Sequence, residues 1–103
     1  MFARVTRYEG DPDKLEAATK LIKETIAPGA KRLQGFKGGY WLVDRATGKG
    51  FSVTLFESEA ALHATEDDAA QLRSRASAVA RITAIERYEV IAEAQVEELA
   101  PAR

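Results

Sequence analysis

Apolar positions along the chain switch between a period of two and a period near 3.6, and the switches mark its elements. Phe2 to Glu9 mixes Phe2, Val5 and Tyr8 with Arg4, Thr6 and Arg7, which predicts a strand with one well-buried face and one more polar one. Asp11 then suits an N-cap, Pro12 the first helical position, and Asp13 the first turn, where the helix dipole favours negative charge. Leu15, Ala18, Ile22 and Ile26 recur at helical spacing, while Lys14, Glu16, Lys20, Lys23 and Glu24 fall largely elsewhere around the cylinder. Pro28-Gly29 is expected to break or kink this helix, with a short continuation through Ala30 to Leu33 and a stop at Gly35.

The central stretch, Gly35 to Ser58, predicts a hairpin feeding a helix. Gly38 and Gly39 free the backbone, Tyr40 to Val43 forms the second strand, and Asp44 to Gly50 is a polar turn. Phe51 to Glu57 is the third strand, with Phe51, Val53 and Leu55 on one face and Ser52, Thr54 and Phe56 on the other. Ser58 caps a short helix from Glu59 to Ala64, and Thr65 with Asp68 resembles a capping box that starts a second helical segment running to about Ala80. Ile85 to Ala92 is the fourth strand, carrying Tyr88 and Val90 on one face and Ile85 and Ile91 on the other. Glu93 to Arg103, rich in Ala and Glu, reads as a helical or extended arm.

The order β-α-β-β-α-β predicts an α+β, ferredoxin-like fold: a four-stranded antiparallel sheet with helices on one side, in a single domain over residues 1–93 with a C-terminal arm at 94–103. Strand two is apolar on both faces, Tyr40 and Leu42 on one and Trp41 and Val43 on the other. One helical layer covers only one face. The open sheet face is therefore expected to pair with a second copy of the chain, giving a homodimer.

Composition narrows the chemistry. A chain of 103 residues suits one hydrophobic core, and a net charge of -1 gives no general pull towards nucleic acid or an anionic membrane. With no cysteine there is no disulfide or thiolate site, and no spacing suggests a zinc or calcium motif. No apolar run reaches membrane-spanning length, so a cytoplasmic protein is expected.

These residues resemble the dimeric α+β barrel superfamily and, within it, the antibiotic-biosynthesis-monooxygenase-like group. The similarity runs from the first strand through a helix ending near LQGFKGGY, a hairpin ending TLFESEAAL, and a last strand IERYEV. Most specific is Phe56 to Leu62, which resembles the group's strand-to-helix junction, an aromatic and a charged residue ahead of a Ser cap. The resemblance implies two sheets packed face to face into a barrel, and a cleft between sheet and helices. In that cleft an electron-rich aromatic or quinone-like substrate supplies electrons to oxygen with no cofactor. The chain departs from the group's better-known patterns: it has no Asn, and its one His is His63, whereas haem-degrading members place a ligating His near the position of Arg75. The haem-degrading pattern is not expected.

His63 is the candidate general base, weighed against an exposed or packing residue at a helix end. Arg4, Trp41, Phe56 and Tyr88 are candidate ligand-binding residues. Trp41 lines a pocket or anchors the dimer core, the second being the stronger expectation. Arg4, if its face is covered, needs a carboxylate or an anionic ligand, and otherwise reaches water. The hydroxyls of Ser52 and Thr54 mark a pocket or are satisfied surface groups, and the later positions of Arg73, Arg75 and Arg81 follow from the helix dipole alone. Thr47 to Gly50 superficially resembles a phosphate loop, but it precedes a strand and reads as a hairpin turn. The leading functional expectation is a cofactor-independent monooxygenase-like protein acting on an aromatic or quinone-like small molecule; the alternative is a non-catalytic binding or regulatory dimer. A third, partner-binding reading would place contact on the arm from Val96 to Ala102.

Overall fold

The computed structural model describes residues 1–96, so positions 97–103 of the expected arm lie outside the described residues. Four strands, β1 (Phe2–Gly10), β2 (Phe36–Val43), β3 (Lys49–Phe56) and β4 (Ala80–Glu89), form one antiparallel sheet in the order β2-β3-β1-β4, as a ferredoxin-like α+β fold requires. Between β1 and β2 run a 3₁₀ turn (Pro12–Lys14), helix α1 (Leu15–Leu21), a π-helical turn (Ile22–Ile26) and α2 (Ala27–Ala30); between β3 and β4 run α3 (Glu59–Ala64) and α4 (Glu66–Ser74).

Local chemistry explains most boundaries. The Asp11 carboxylate accepts the Asp13 amide hydrogen bond at 2.9 Å and opens the first helical segment through a 3₁₀ turn. The hydroxyl of Ser58 accepts from Ala61 N–H at 3.0 Å and starts α3. Gly35 sits at φ +80, and a Cβ there would lie 2.7 Å from that of Ala61, so only glycine lets the chain turn into β2 beside α3.

Other boundaries depart from the sequence reading. Pro28 stands just after the π turn, where the helical ladder is already irregular, and the helical path continues through Pro28-Gly29 to Ala30. Thr65 caps nothing with its side chain; its hydroxyl donates to the Leu62 carbonyl at 2.9 Å. β2 begins at Phe36, four residues before Tyr40, because Phe36 pairs with Phe56 across a bulge. Helix α4 stops at Ser74, and the Ala-rich stretch expected to prolong it turns into β4, which starts at Ala80 and ends at Glu89. Residues Ala80 to Ile85 gain ladder partners from Gly10 back to Thr6, and that pairing overrides their helical propensity.

Register sorts the side chains into two faces. Four rows cross the helix-side face: Phe56, Phe2 and Glu89; then Gly39, Thr54, Arg4 and Arg87; then Trp41, Ser52, Thr6 and Ile85; then Val43, Gly50, Tyr8 and Ile82. The opposite face carries Leu55, Ala3 and Tyr88, then Tyr40, Val53, Val5 and Glu86, then Leu42, Phe51, Arg7 and Ala84. Among the described residues no helix covers that second face, where Tyr40 is 72% and Leu42 42% exposed. The core sits at the first two helix-side rows, where α3 and α4 bury Phe56, Leu62 and Ala69. Burying Phe56 and Leu62 stabilises the fold by roughly 2–3 kcal/mol each.

Candidate functional site

The third and fourth helix-side rows are not filled. Above them lies a cavity of about 440 Å³, of the size that holds a drug-like molecule. Its floor is Thr6, Tyr8, Trp41, Val43, Ser52 and Ile82 from the sheet; one wall comes from α1 and the π turn through Leu15, Thr19, Ile22, Lys23 and Ile26, the other from Arg73, Ala76 and Val79. The wall residues Leu15, Ala18, Ile22 and Ile26 are the helical stripe that the sequence displays as a core face. Here the stripe borders the cavity, with Leu15 and Ile26 buried and Ala18 and Ile22 half-buried. The π turn continues it, with Ile22 accepting from Ala27 N–H across five residues.

Three features give the floor its chemistry. Thr54 and Thr65 direct their hydroxyls at the carbonyls of Arg4 and Leu62, at 3.4 and 2.9 Å, whereas Thr6 and Ser52, cross-strand partners, line the cavity with theirs. Tyr8 lies across Gly50, where a Cβ would come within 2.9 Å of the ring, and donates its hydroxyl to the Leu42 carbonyl at 2.6 Å. Burial raises the Tyr8 pKa, so this phenol stays protonated at neutral pH. All the charged side chains among the lining residues, Lys23, Arg45 and Arg73, are cations.

Arg73 is the least exposed of the three. Burial lowers its pKa first, the nearby Arg4 and Arg87 charges add to this, and Glu66 partly offsets them. Glu66 itself is committed elsewhere. It binds Arg4 with Oε1, reached by Nε at 3.0 Å and by Nη2, and Arg87 with Oε2, reached by Nε at 3.1 Å and by Nη2. Burial alone would raise the Glu66 pKa, but the hydrogen bonds and charges of Arg87 and Arg4 outweigh it and hold it down from 4.5 to about 2.

The structure separates the candidates named from sequence. Trp41 lines the cavity on the helix side, so it is not an anchor of the open face. Arg4 and Phe56 meet each other, with the guanidinium 5.0 Å over the ring, but both belong to the filled end: Arg4 is 2% exposed and held by Glu66, the Leu62 carbonyl and Thr65, while Phe56 is fully buried edge-on against Phe36. The covered Arg4 thus has a carboxylate of its own. Tyr88 stands on the open face, away from the cavity, because β4 places it beside Ala3. His63 is exposed on α3, 3.9 Å from Glu59, and lines no part of the cavity. Sequence reading did not anticipate Arg73. Its i, i+3 spacing to Ala76 along an apolar edge is the one available signal, and the dipole account of the arginines obscured it.

Among the described residues there is no cluster of three metal-ligating side chains, and no helix is long and apolar enough to cross a membrane.

No protein-family model matches the sequence. Among curated relatives, the uncharacterised protein Rv2557 of Mycobacterium tuberculosis is 24% identical over 93 residues, 89% of this chain and 42% of its own; the chain thus spans less than half the length of the curated relatives it matches. Solved structures give a stronger likeness. HapK of Hahella chejuensis superposes with a TM-score of 0.78 at 13% identity, covering 95% of this chain and all of the other. MhuD, in a mutant form holding two manganese protoporphyrin IX molecules per active site, gives 0.72 at 19%, over 92% and 99%. SnoaB of Streptomyces nogalater, a cofactor-independent oxygenase, gives 0.64 at 13%, over 89% and 94%. An antibiotic biosynthesis monooxygenase shares the same architecture. The chain has the fold of the antibiotic-biosynthesis-monooxygenase-like group, and at these identities the likeness extends to fold alone.

Proposed function

We propose that this chain binds a flat aromatic or quinone-like small molecule carrying an acidic oxygen, and that it acts on it as a cofactor-independent monooxygenase. The observation that carries the reading is the cavity of about 440 Å³ whose apolar lining includes Trp41 and whose charged lining residues, Lys23, Arg45 and Arg73, are all cations. Ring stacking on Trp41 and burial between Leu15, Ile22 and Val79 supply affinity, while Arg73 and the Thr6 and Ser52 hydroxyls orient a phenolate or enolate oxygen. A cation beside that oxygen also lowers the ligand's pKa, so its proton passes to water at the mouth. The resulting electron-rich anion is the species that reduces dioxygen directly. For an anthrone the balance is one molecule of anthrone and one of O₂ giving the quinone and one water, with four electrons leaving the ring carbon.

The open sheet face supports a homodimer. Leu42, Phe51, Val53 and Leu55 form an apolar surface with no helix over it among the described residues, and a second copy packed sheet to sheet would bury it.

A non-catalytic carrier or sensor is the second reading, favoured by one observation: His63, the only imidazole, stands outside the cavity. Native mass spectrometry with added 1,8-dihydroxyanthrone, followed by oxygen-electrode measurement, tests these readings together. We expect a dimer that retains the anthrone and consumes one O₂ per quinone formed. Retention without oxygen uptake above the uncatalysed rate selects the carrier, and a monomer that retains nothing overturns both the site and the dimer.

A further inference from the structure

Arg4, Arg87 and Glu66 stand at the filled end of the helix-side face and Arg73 at the cavity wall beside it, and of these three arginines only Arg4 and Arg87 have an ion pair among the described residues. Glu66 directs one oxygen at Arg4 and the other at Arg87, and the charges of all three act on Arg73. Arg87 is the outer member, on β4 next to Arg4, and it does not line the cavity. Arg73 lies on α4 seven residues beyond Glu66, which places both on one side of the helix about 10 Å apart along its axis. Helical side chains lean in general towards the N-terminus, which is the direction in which Glu66 lies from Arg73. Glu66 is therefore the nearest carboxylate partner Arg73 has on its own helix face, and it is already saturated.

We propose that Glu66 is a positioning residue for the cavity, and that Arg87 is what makes it one: by occupying the second oxygen of Glu66, Arg87 keeps that carboxylate from neutralising Arg73, and so reserves Arg73 for an anionic group on the ligand. The inference rests on the reading of the cavity as a site for an acidic aromatic molecule. It deepens that reading by assigning charge selectivity to a residue outside the cavity. The cluster carries three positive charges against one negative, and the surplus lies at the cavity wall. Buried Arg4 cannot turn towards the ligand, because the Leu62 carbonyl and Thr65 hold it at 2.9 and 3.2 Å. Releasing Arg87 frees Glu66 Oε2, and the freed oxygen competes with the ligand for Arg73.

The test compares two probes of nearly equal shape, 2-naphthoate and neutral 2-naphthamide, by calorimetric titration of the wild type and of Arg87→Gln, Arg87→Lys and Arg73→Gln. The wild type is expected to bind the carboxylate about tenfold more tightly than the amide, the scale of one charge-assisted contact. Arg73→Gln abolishes that preference. Arg87→Gln keeps the Arg4 to Glu66 pair and its fold, checked by thermal melting, and lowers the preference roughly three- to fivefold through the carboxylate alone, in the range of a single partly screened charge interaction. Arg87→Lys restores part of it. An unchanged preference in Arg87→Gln overturns the role of Glu66, as does an equal loss of both probes, which would indicate general loosening. If the wild type binds neither probe, or both equally, the cavity reading fails first and this inference falls with it.

Discussion

The two ends of the helix-side face treat buried polarity in opposite ways. At the α3 end, Arg4 is enclosed and held by Glu66, by the Leu62 carbonyl and by Thr65, with the Phe56 ring packed against its flat face. At the other end, one row further along the same two strands, Thr6 and Ser52 are as well shielded from bulk solvent, yet their hydroxyls border an empty volume. The difference is one of what stands above the sheet. Short helices α3 and α4 come down onto the first rows, whereas α1 and the π turn bridge over the later ones. A polar group beneath a packed helix must be matched within the chain; one beneath a bridge is available to something else.

That contrast can be broken most directly at its filled end. Phe56→Ala removes a fully buried ring from both the edge-on contact with Phe36 and the Arg4 stack, and should cost about 3–5 kcal/mol in urea unfolding, at the level of large-to-small core changes. A loss under about 1 kcal/mol would mean that the two ends are equally loose.

Glu66→Gln comes next, at about 2–3 kcal/mol, since Arg4 stays buried while its counter-charge goes and the amide still accepts a hydrogen bond. The same carboxylate sets a pH dependence. Its folded pKa of about 2 lies below the ordinary 4.5, so its contribution is fully present above pH 4.5 and is lost as the pH falls through 2. Exposure of the outer oxygen screens part of it. Wild-type stability should therefore decline between pH 4.5 and 2, with a visibly shallower decline in Glu66→Gln; parallel curves would remove Glu66 from the account.

The smallest effect belongs to the hollow end. Ser52→Ala should change stability by no more than about 0.5 kcal/mol, because its hydroxyl borders open volume, while weakening 2-naphthoate binding about two- to fivefold. A destabilisation above about 1.5 kcal/mol would show the hydroxyl to be structurally matched after all.

How far the sequence carried this contrast depended on the range of the interactions involved. Strand alternation in Phe51 to Phe56 placed Phe56 with Ser52 and Thr54 on one face, without saying which face the helices cover, and short-range chemistry at Asp11, Ser58 and Gly35 marked helix ends, because those signals act within a few residues. The start of β4 was hidden: its determinant is pairing with β1, roughly seventy residues away, which composition at Ala76 to Ala80 contradicts. The cavity was hidden for a related reason. An apolar stripe at 15, 18, 22 and 26 looks alike whether a core or a ligand faces it, and only the height of α1 above the sheet distinguishes them. Arg4, Phe56 and Trp41 were all singled out as chemically unusual; which of them face the hollow is a matter of row number, and row number comes from register.

The π turn at Ile22–Ile26 gives that bridge an adjustable span. Its bond from Ala27 N–H to the Ile22 carbonyl closes over five residues where an α-helix closes over four, so the segment carries one residue more than an unbroken helix needs. Chain length is thereby a variable of the wall: dropping a single residue between Ile22 and Ala27 would convert the turn to ordinary helix and bring Ile22 and Ile26 one position closer along it. Ile22 and Ile26 would stay on one face at i, i+3 spacing, but splayed by about 60° around the helix axis. A change of one codon in length, with no side chain altered, would recut the shape that this half of the cavity offers to a guest.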